Sequence, residues 1–354
     1  MNEIRVLIVD DSPMVRDMLA DILGSDPAIS VVGMAENGLQ AIEQTQALKP
    51  DIVAMDINMP VMDGLEAIGR IMSATPVPIL VITDLDHANI AFSALSKGAL
   101  DVYNKAFYNQ DMAAELIAKV KMLSRVKVIR HILPKGSEAR VSSRPFERRT
   151  SSVSLPPAVE RRKNRLAFQV VAIASSTGGP RALAQIFAEM REGFPVPIVV
   201  AQHMSDGFVG GLVEWLGSVT PVKVKFAEDG EMLRENHIYF APAGTHVRVN
   251  ANGKLSLVAV PPDDLFHPSC NQLLASAGEA FGAQSLGVIL TGMGDDGVEG
   301  MRSIRQHGGY TVAQDEATSV VFGMPKVAID NGLIDRVIPI GEIGGLLKQL
   351  VGSK

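Results

Sequence analysis

Two groups of side chains in this chain have the types and spacing to do chemistry. The first begins at Ser175-Ser176-Thr177-Gly178-Gly179-Pro180, directly after the apolar run 168–174. A strand, a turn of small residues and then a helix expose a hydroxyl at a helix N-terminus, where unpaired N–H groups and the positive end of the dipole favour developing negative charge. A phosphate is held in the same way, but the turn has neither the lysine of GxxxxGK[ST] nor the spacing of GxGxxG. A serine hydroxyl needs a base, and His203, at the end of the run 198–202, is the best placed of the seven histidines. Asp295 and Asp296 follow the apolar run 285–291 in another strand-to-helix turn. Either could orient an imidazole and stabilise its protonated form. The plain alternatives are that His203 is an ordinary sheet-edge residue and that Asp296 caps a helix starting near Val298.

The second group is acidic. Asp10 and Asp11 close the first apolar run, and Asp56 closes the third. Carboxylates crowded at one rim repel one another unless a divalent cation screens them, and an all-oxygen set suits Mg²⁺. Asp56 could then attack a phosphoryl donor, with Lys105 helping to neutralise the charge on the phosphoryl oxygens and Thr83 reporting the modification.

Both groups need parallel sheets to position them. Residues 5–125 alternate short β-branched runs with helical periodicity, which predicts a doubly wound, flavodoxin-like α/β domain whose ligands bind at the carboxyl ends of the strands. Alternation stops between about 130 and 165, where Ser and Pro accumulate and ten Lys/Arg stand against three Glu, a charge of +7. From 166 it resumes, interrupted by the shorter runs HIYFAP, HVRVN and LSLVAV. The expected organisation is a domain over 1–128, a basic linker over 129–165 and a second domain over 166–354. The second is expected to be a parallel α/β sheet with those short runs as an antiparallel β insertion.

Bulk properties narrow the function classes. The chain has 354 residues, 47% apolar and 20% charged, with a net charge of -6 and a single cysteine, Cys270. That composition fills two cores, provides no global positive field for nucleic acid or an anionic membrane, and allows no internal disulfide. No apolar run approaches the roughly 20 residues that span a bilayer, and the opening residues lack the features of a secretion signal. A cytoplasmic protein without membrane insertion is expected, with a monomer as the default.

At these residues the first segment resembles a response-regulator receiver domain, matching VDD at Asp10 and Asp11, MDINMPVMDG around Asp56, and Thr83 and Lys105. The resemblance implies that Asp56 is the phosphoacceptor and that Asp10, Asp11, Asp56 and the backbone of Asn58 bind Mg²⁺. It also implies that Thr83 and Lys105 transmit the signal and that a sensor histidine kinase is the phosphodonor. The family usually has proline after the lysine, where this chain has Ala106.

The second segment resembles a chemotaxis protein-glutamate methylesterase of the CheB family. The resemblance rests on ASSTGGP, AQHMSDGF, FAEDGE, YFAPAGTHV, HPSCNQLL, GVILTGMGDDG and AQDEATSVVFGMP. It implies Ser176 as nucleophile, His203 as general base and Asp296 as its partner, with no cofactor in the esterase domain. Backbone N–H groups of Thr177, Gly178 or Met293 are the oxyanion candidates. The implied substrates are glutamyl methyl esters on the cytoplasmic helices of chemoreceptors, with deamidation of glutamines as a second activity, under autoinhibition by the receiver. One departure is His267-Pro268-Ser269-Cys270-Asn271 in place of the usual HRPSVD, where Ser269 is expected to cap a helix and Cys270 to be an inert helix-edge residue. Two rivals compete: a DNA-binding regulator using the basic linker, against which no recognition-helix pattern is present, and a catalytically silent receptor-binding adaptor.

Overall fold

A computed structural model describes residues 3–84, 88–105, 110–126, 128, 168–204, 206–261 and 267–352. The expected linker, 129–165, and Ala106 lie outside the described residues. The first domain runs β1 (Ile4–Val9), α1 (Pro13–Gly24), β2 (Ile29–Ala35), α2 (Gly38–Leu48), β3 (Ile52–Met55), α3 (Gly64–Ala74), β4 (Ile79–Thr83), α4 (Ala88–Ser96), β5 (Asp101–Asn104) and α5 (Gln110–Leu123). Its parallel sheet has the order β2-β1-β3-β4-β5. Strand order reverses at β1 and β3, so the crevice at their carboxyl ends is the natural ligand site. Ser12 starts α1 by accepting from the Val15 N–H, with Pro13 fixing the first turn. Asp10 and Asp11 are thereby left on the strand-to-helix turn.

The second domain comprises β6 (Val170–Ser175), α6 (Gly179–Ala188), β7 (Ile198–Gln202), α7 (Val209–Val219), β8 (Lys223–Phe226), β9 (His237–Phe240), β10 (Thr245–Val249), β11 (Leu255–Ala259), α8 (Cys270–Phe281), β12 (Ser285–Ile289), α9 (Val298–Gln306), β13 (Tyr310–Gln314), α10 (Met324–Asp330), β14 (Arg336–Ile338) and α11 (Ile340–Val351). Seven strands form one sheet in the order β14-β13-β12-β6-β7-β9-β8, with every pair parallel. The reversal falls between β6 and β12. One expectation needs correcting: of the three short runs, only HVRVN and LSLVAV supply the antiparallel pair, β10 and β11. HIYF is β9, paired in parallel with β7 and β8. Its Ile238, Tyr239 and Phe240 are buried on both faces of the sheet, the pattern of an interior parallel strand.

The two domains share buried apolar contacts. Phe92 of α4 stacks on Trp215 of α7 with centroids 5.8 Å apart, and meets Phe208 edge-on at 6.5 Å. Such aromatic pairs contribute roughly 1 kcal/mol each beyond their area.

Val61 sits at φ 69° with its β-branched side chain 83% exposed. The left-handed region costs such a residue about 1 kcal/mol or more, and asparagine tolerates it. We expect Val61→Asn to stabilise the receiver by about 1 kcal/mol, seen calorimetrically as a rise of about 4 °C in its unfolding midpoint. An unchanged or lower midpoint would contradict that.

Candidate functional site

The first site lies at the β1/β3 reversal. Asp10 and Asp56 are buried and Asp11 is exposed, yet one oxygen from each lies within 4.8 Å of the others. Asn58 is an exposed residue on the same β3–α3 turn. Lys105 reaches in from the end of β5, its Nζ 2.7 Å from Asp10 Oδ2 and 2.8 Å from Asp56 Oδ2. Its main-chain N–H donates to Thr83 O at 3.1 Å. Burial pushes the Asp56 carboxyl above its ordinary value, and the Lys105 ammonium only partly offsets this. Burial opposes the Lys105 charge, but Asp10 and Asp56 outweigh it and raise the lysine. Apart from that ammonium, Asp10 Oδ2 meets no donor among the described residues. Thr83 Oγ1 is buried without a hydrogen-bond partner among them. Hard oxygen donors exceeding the local positive charge fit a divalent cation, and an unsatisfied buried hydroxyl nearby fits an added phosphoryl oxygen. Gly64 closes the turn because a Cβ there would lie 2.1 Å from the Asp56 carbonyl oxygen.

The second site lies at the carboxyl ends of β6, β7 and β12. Ser176 is half-buried immediately after β6, and its N–H donates to Thr291 O at 3.0 Å. His203 follows β7, with its N–H donating to Ser175 O at 2.9 Å. Asp296, on the β12–α9 turn, is buried with Oδ2 2.7 Å from His203 Nε2. Ser176, Thr177, His203, Met204, His267 and Met293 line one cavity, closed on its other side by residues of β5 and α5. Gly178 instead lines a separate cavity beside Arg181 and Val320.

Asp296 does not cap the helix after it, which starts on Gly297 with no side-chain cap. It caps α8: Oδ2 accepts from the Cys270 N–H at 2.7 Å and Oδ1 from the Asn271 N–H at 2.9 Å. Burial raises the Asp296 carboxyl, but the His203 ring and these N–H groups outweigh it and hold it below its ordinary value. The carboxylate is therefore anchored at a helix N-terminus, charged and aimed at the imidazole.

One neighbour, Gln202, is not flagged by the sequence. Gln202 is buried and clamps both turns: its Oε1 accepts from Ser175 Oγ at 2.7 Å, and its Nε2 donates to the carbonyls of Ser176 and His203 at 2.8 Å each. Gly179 must be glycine, since a Cβ would lie 2.1 Å from Gln202 Oε1. Cys270 is buried with Sγ 3.4 Å from His203 Nε2, and burial followed by the Asp296 charge pushes its thiol well up, so it packs as a neutral group. Ser269 does cap α8, accepting from the Gln272 N–H, while His267 in the same segment faces the Ser176 cavity.

Asn271 ties α8 to the turn that carries Asp296. Its Oδ1 accepts from the N–H groups of Gly297 and Gly300 at 2.9 Å each. Asn271→Ala leaves both donors unmet, and we expect a stability loss of about 2 kcal/mol in chemical denaturation together with a lower kcat. Wild-type stability would show that water replaces the amide.

Comparisons with known proteins match two segments of the chain separately. The CheB methylesterase family model matches residues 171–347, and the response regulator receiver domain model matches 6–117. The chain is 42% identical, over 98% of its length and 97% of the relative's, to protein-glutamate methylesterase/protein-glutamine glutaminase 2 of Anaeromyxobacter dehalogenans strain 2CP-C. It is 41% identical to protein-glutamate methylesterase/protein-glutamine glutaminase 1 of Syntrophus aciditrophicus strain SB, over 99% of both chains. The crystal structure of the Thermotoga maritima CheB methylesterase catalytic domain aligns at 40% identity with a TM-score of 0.50, covering 52% of this chain and 99% of that one.

Proposed function

Because the chain belongs to the CheB methylesterase family, we propose that it hydrolyses γ-methyl esters of glutamyl side chains on chemoreceptor helices, and deamidates glutaminyl ones, under control of its receiver. The observation that supports this most is the His203–Asp296 bond of 2.7 Å opening on the cavity that Ser176 lines. Asp296 engages Nε2, so proton transfer runs through Nδ1 of His203. Ser176 Oγ attacks the ester carbonyl carbon while its proton passes to His203. The tetrahedral oxyanion is received by backbone N–H groups at Thr177 or Met293, the two oxyanion candidates that line this cavity. Collapse breaks the carbon–oxygen bond, and the departing methoxide takes the proton from His203 as methanol. Water then attacks the acyl-serine, gives its proton to His203 and restores glutamate and the serine hydroxyl. With glutamine the leaving group is ammonia.

Asp56 is the phosphoacceptor in this reading, with a histidine kinase as donor. Asp10, Asp11, Asp56 and the Asn58 backbone would hold Mg²⁺, which supplies charge neutralisation at the phosphoryl oxygens. Lys105 adds a second cation, and the Thr83 hydroxyl donates a hydrogen bond to a phosphoryl oxygen. Thr83 ends β4, beside the α4 helix whose Phe92 docks on Trp215, which gives the modification a route to the domain contact. No helix among the described residues is long and apolar enough to cross a membrane.

The test is methanol release from methylated receptor with and without a small-molecule phosphodonor. Release that requires the chain and rises with the donor supports the reading; no release under either condition overturns it. We expect Asp56→Asn to retain the slow basal rate and to lose the stimulation, about 5- to 150-fold for a coupling of ordinary size. Equal stimulation of variant and wild type would remove Asp56 from the switch.

A further inference from the structure

Cys270 is the single cysteine of the chain, and its thiol stands inside the cluster that holds the base. Sγ lies 3.4 Å from His203 Nε2, which is itself 2.7 Å from Asp296 Oδ2. One donor atom from each of His203, Cys270 and Asp296 falls within 4.8 Å of the other two. Hydrolysis uses the imidazole and the carboxylate and leaves the sulfur idle. In HRPSVD, the usual form of this segment, there is no thiol. Without an ion the S–H has the Ala201 carbonyl, 3.5 Å away, as an acceptor.

A thiolate, an imidazole nitrogen and a carboxylate oxygen are donors that zinc takes, and three protein ligands leave a fourth position for water. Bonds of about 2.0–2.3 Å in a tetrahedral arrangement set the donor atoms about 3.3–3.6 Å apart. The sulfur and the imidazole nitrogen already have that separation. The nitrogen and the carboxylate oxygen must part by about 0.6 Å to reach it. The His203 ring lines the Ser176 cavity, so it has room to tilt, and the ion has a way in beside it. Charge favours the ion as well. A divalent cation against one thiolate, one carboxylate and a neutral imidazole sums to zero, so the buried cluster gains no net charge. Asp296 is already steadied as a ligand: its Oδ1 accepts from the Asn271 N–H at 2.9 Å and from Ser269 Oγ at 3.4 Å, which keeps Oδ2 turned toward the ring.

We propose that His203, Cys270 and Asp296 form a site for a thiophilic divalent cation of the zinc type, and that an ion bound there switches hydrolysis off. Binding releases the Cys270 thiol proton to solvent and forms bonds from the metal to Sγ, Nε2 and Oδ2. The proton that Nε2 directs at Asp296 moves to Nδ1. Nδ1 then has no lone pair to accept the Ser176 proton, and the nucleophile loses its base. Removing the ion reverses each step. The metal site stands on the geometry of the three side chains; only its effect on hydrolysis rests on the esterase reading above.

The experiment titrates the full chain with Co²⁺ in excess Mg²⁺, which occupies the all-oxygen pocket of the receiver, and follows the thiolate-to-cobalt charge-transfer band. With a single cysteine present, that band reports Cys270 alone. The expected result is a band that saturates at one equivalent, is bleached by Zn²⁺, and is missing from both Cys270→Val and Cys270→Ser. Methanol release from methylated receptor is then measured against free Zn²⁺. It should fall about 100-fold at a free concentration about a hundred times the Kd, and recover when a chelator is added. Each variant is compared with its own metal-free rate. Loss of a direct ligand should raise the inhibitory Zn²⁺ concentration at least about 100-fold, more than the loss of a group that only supports one. Absence of the band from the unsubstituted chain overturns the proposal, as does inhibition that is equally strong in both variants, or full turnover with the band saturated. Absence of methanol release before any Zn²⁺ is added defeats the esterase reading instead, and the cobalt titration still decides the metal site.

Discussion

Ser176→Ala is expected to lower methanol release from methylated receptor about a million-fold, the loss seen when a triad nucleophile is removed while its surroundings stay intact. The turn survives the change. Its shape comes from main-chain bonds that alanine also makes: the residue 176 N–H to Thr291 O, the Gly179 N–H to its carbonyl, and Gln202 Nε2 to the same carbonyl. The unfolding midpoint should therefore stay at the wild-type value, and the affinity for receptor with it. Ser175→Ala is the informative contrast. Ser175 Oγ donates to Gln202 Oε1 inside the protein, so its removal should cost about 1 kcal/mol of stability and leave turnover nearly intact. Release by Ser176→Ala within about tenfold of wild type would mean that less than 1.4 kcal/mol of barrier reduction passes through that oxygen, which would discard it as the nucleophile.

The contrast between these neighbouring serines marks where sequence reading reaches and where it stops. Alternation of β-branched runs with amphipathic ones predicts two parallel sheets, and parallel sheets place the turns after β1, β3, β6, β7 and β12 at carboxyl edges. The families of both segments were legible for that reason together with their local motifs. What could not be read were contacts made by side chains distant in sequence. HIYF has the length and composition of a strand, but nothing local says that its neighbours are β7 and β8. Asp296 stands two residues before α9 and looks like its cap, yet it caps α8, whose N-terminus is brought over by packing of α8 on β6 and α9. Gln202 lies beside the expected base, but its clamp on Ser175 and Ser176 exists only because β6 and β7 are paired.

The α8 cap makes Asp296→Asn a sharp test of the relay. One carboxylate serves two masters, the His203 ring through Oδ2 and the α8 N-terminus through both oxygens. An asparagine has one oxygen, which at the Oδ1 position keeps the Asn271 N–H and turns the amide NH₂ toward both His203 Nε2 and the Cys270 N–H, which loses its acceptor. The imidazole must then accept at Nε2 and carry its proton on Nδ1, the nitrogen that has to accept from the serine. We expect kcat to fall about ten-thousand-fold through the wrong tautomer, with a stability loss of about 1 kcal/mol from the unmet Cys270 N–H. Asp296→Ala should behave differently, leaving buried helix donors unmet and destabilising the domain by about 2 kcal/mol as well. Combining Asp296→Asn with Ser176→Ala should add almost nothing to the serine variant alone, because an aspartate that orients a base has no effect once its nucleophile is gone. Losses that instead multiply would mean that Asp296 assists the reaction by a route that does not pass through the Ser176 hydroxyl.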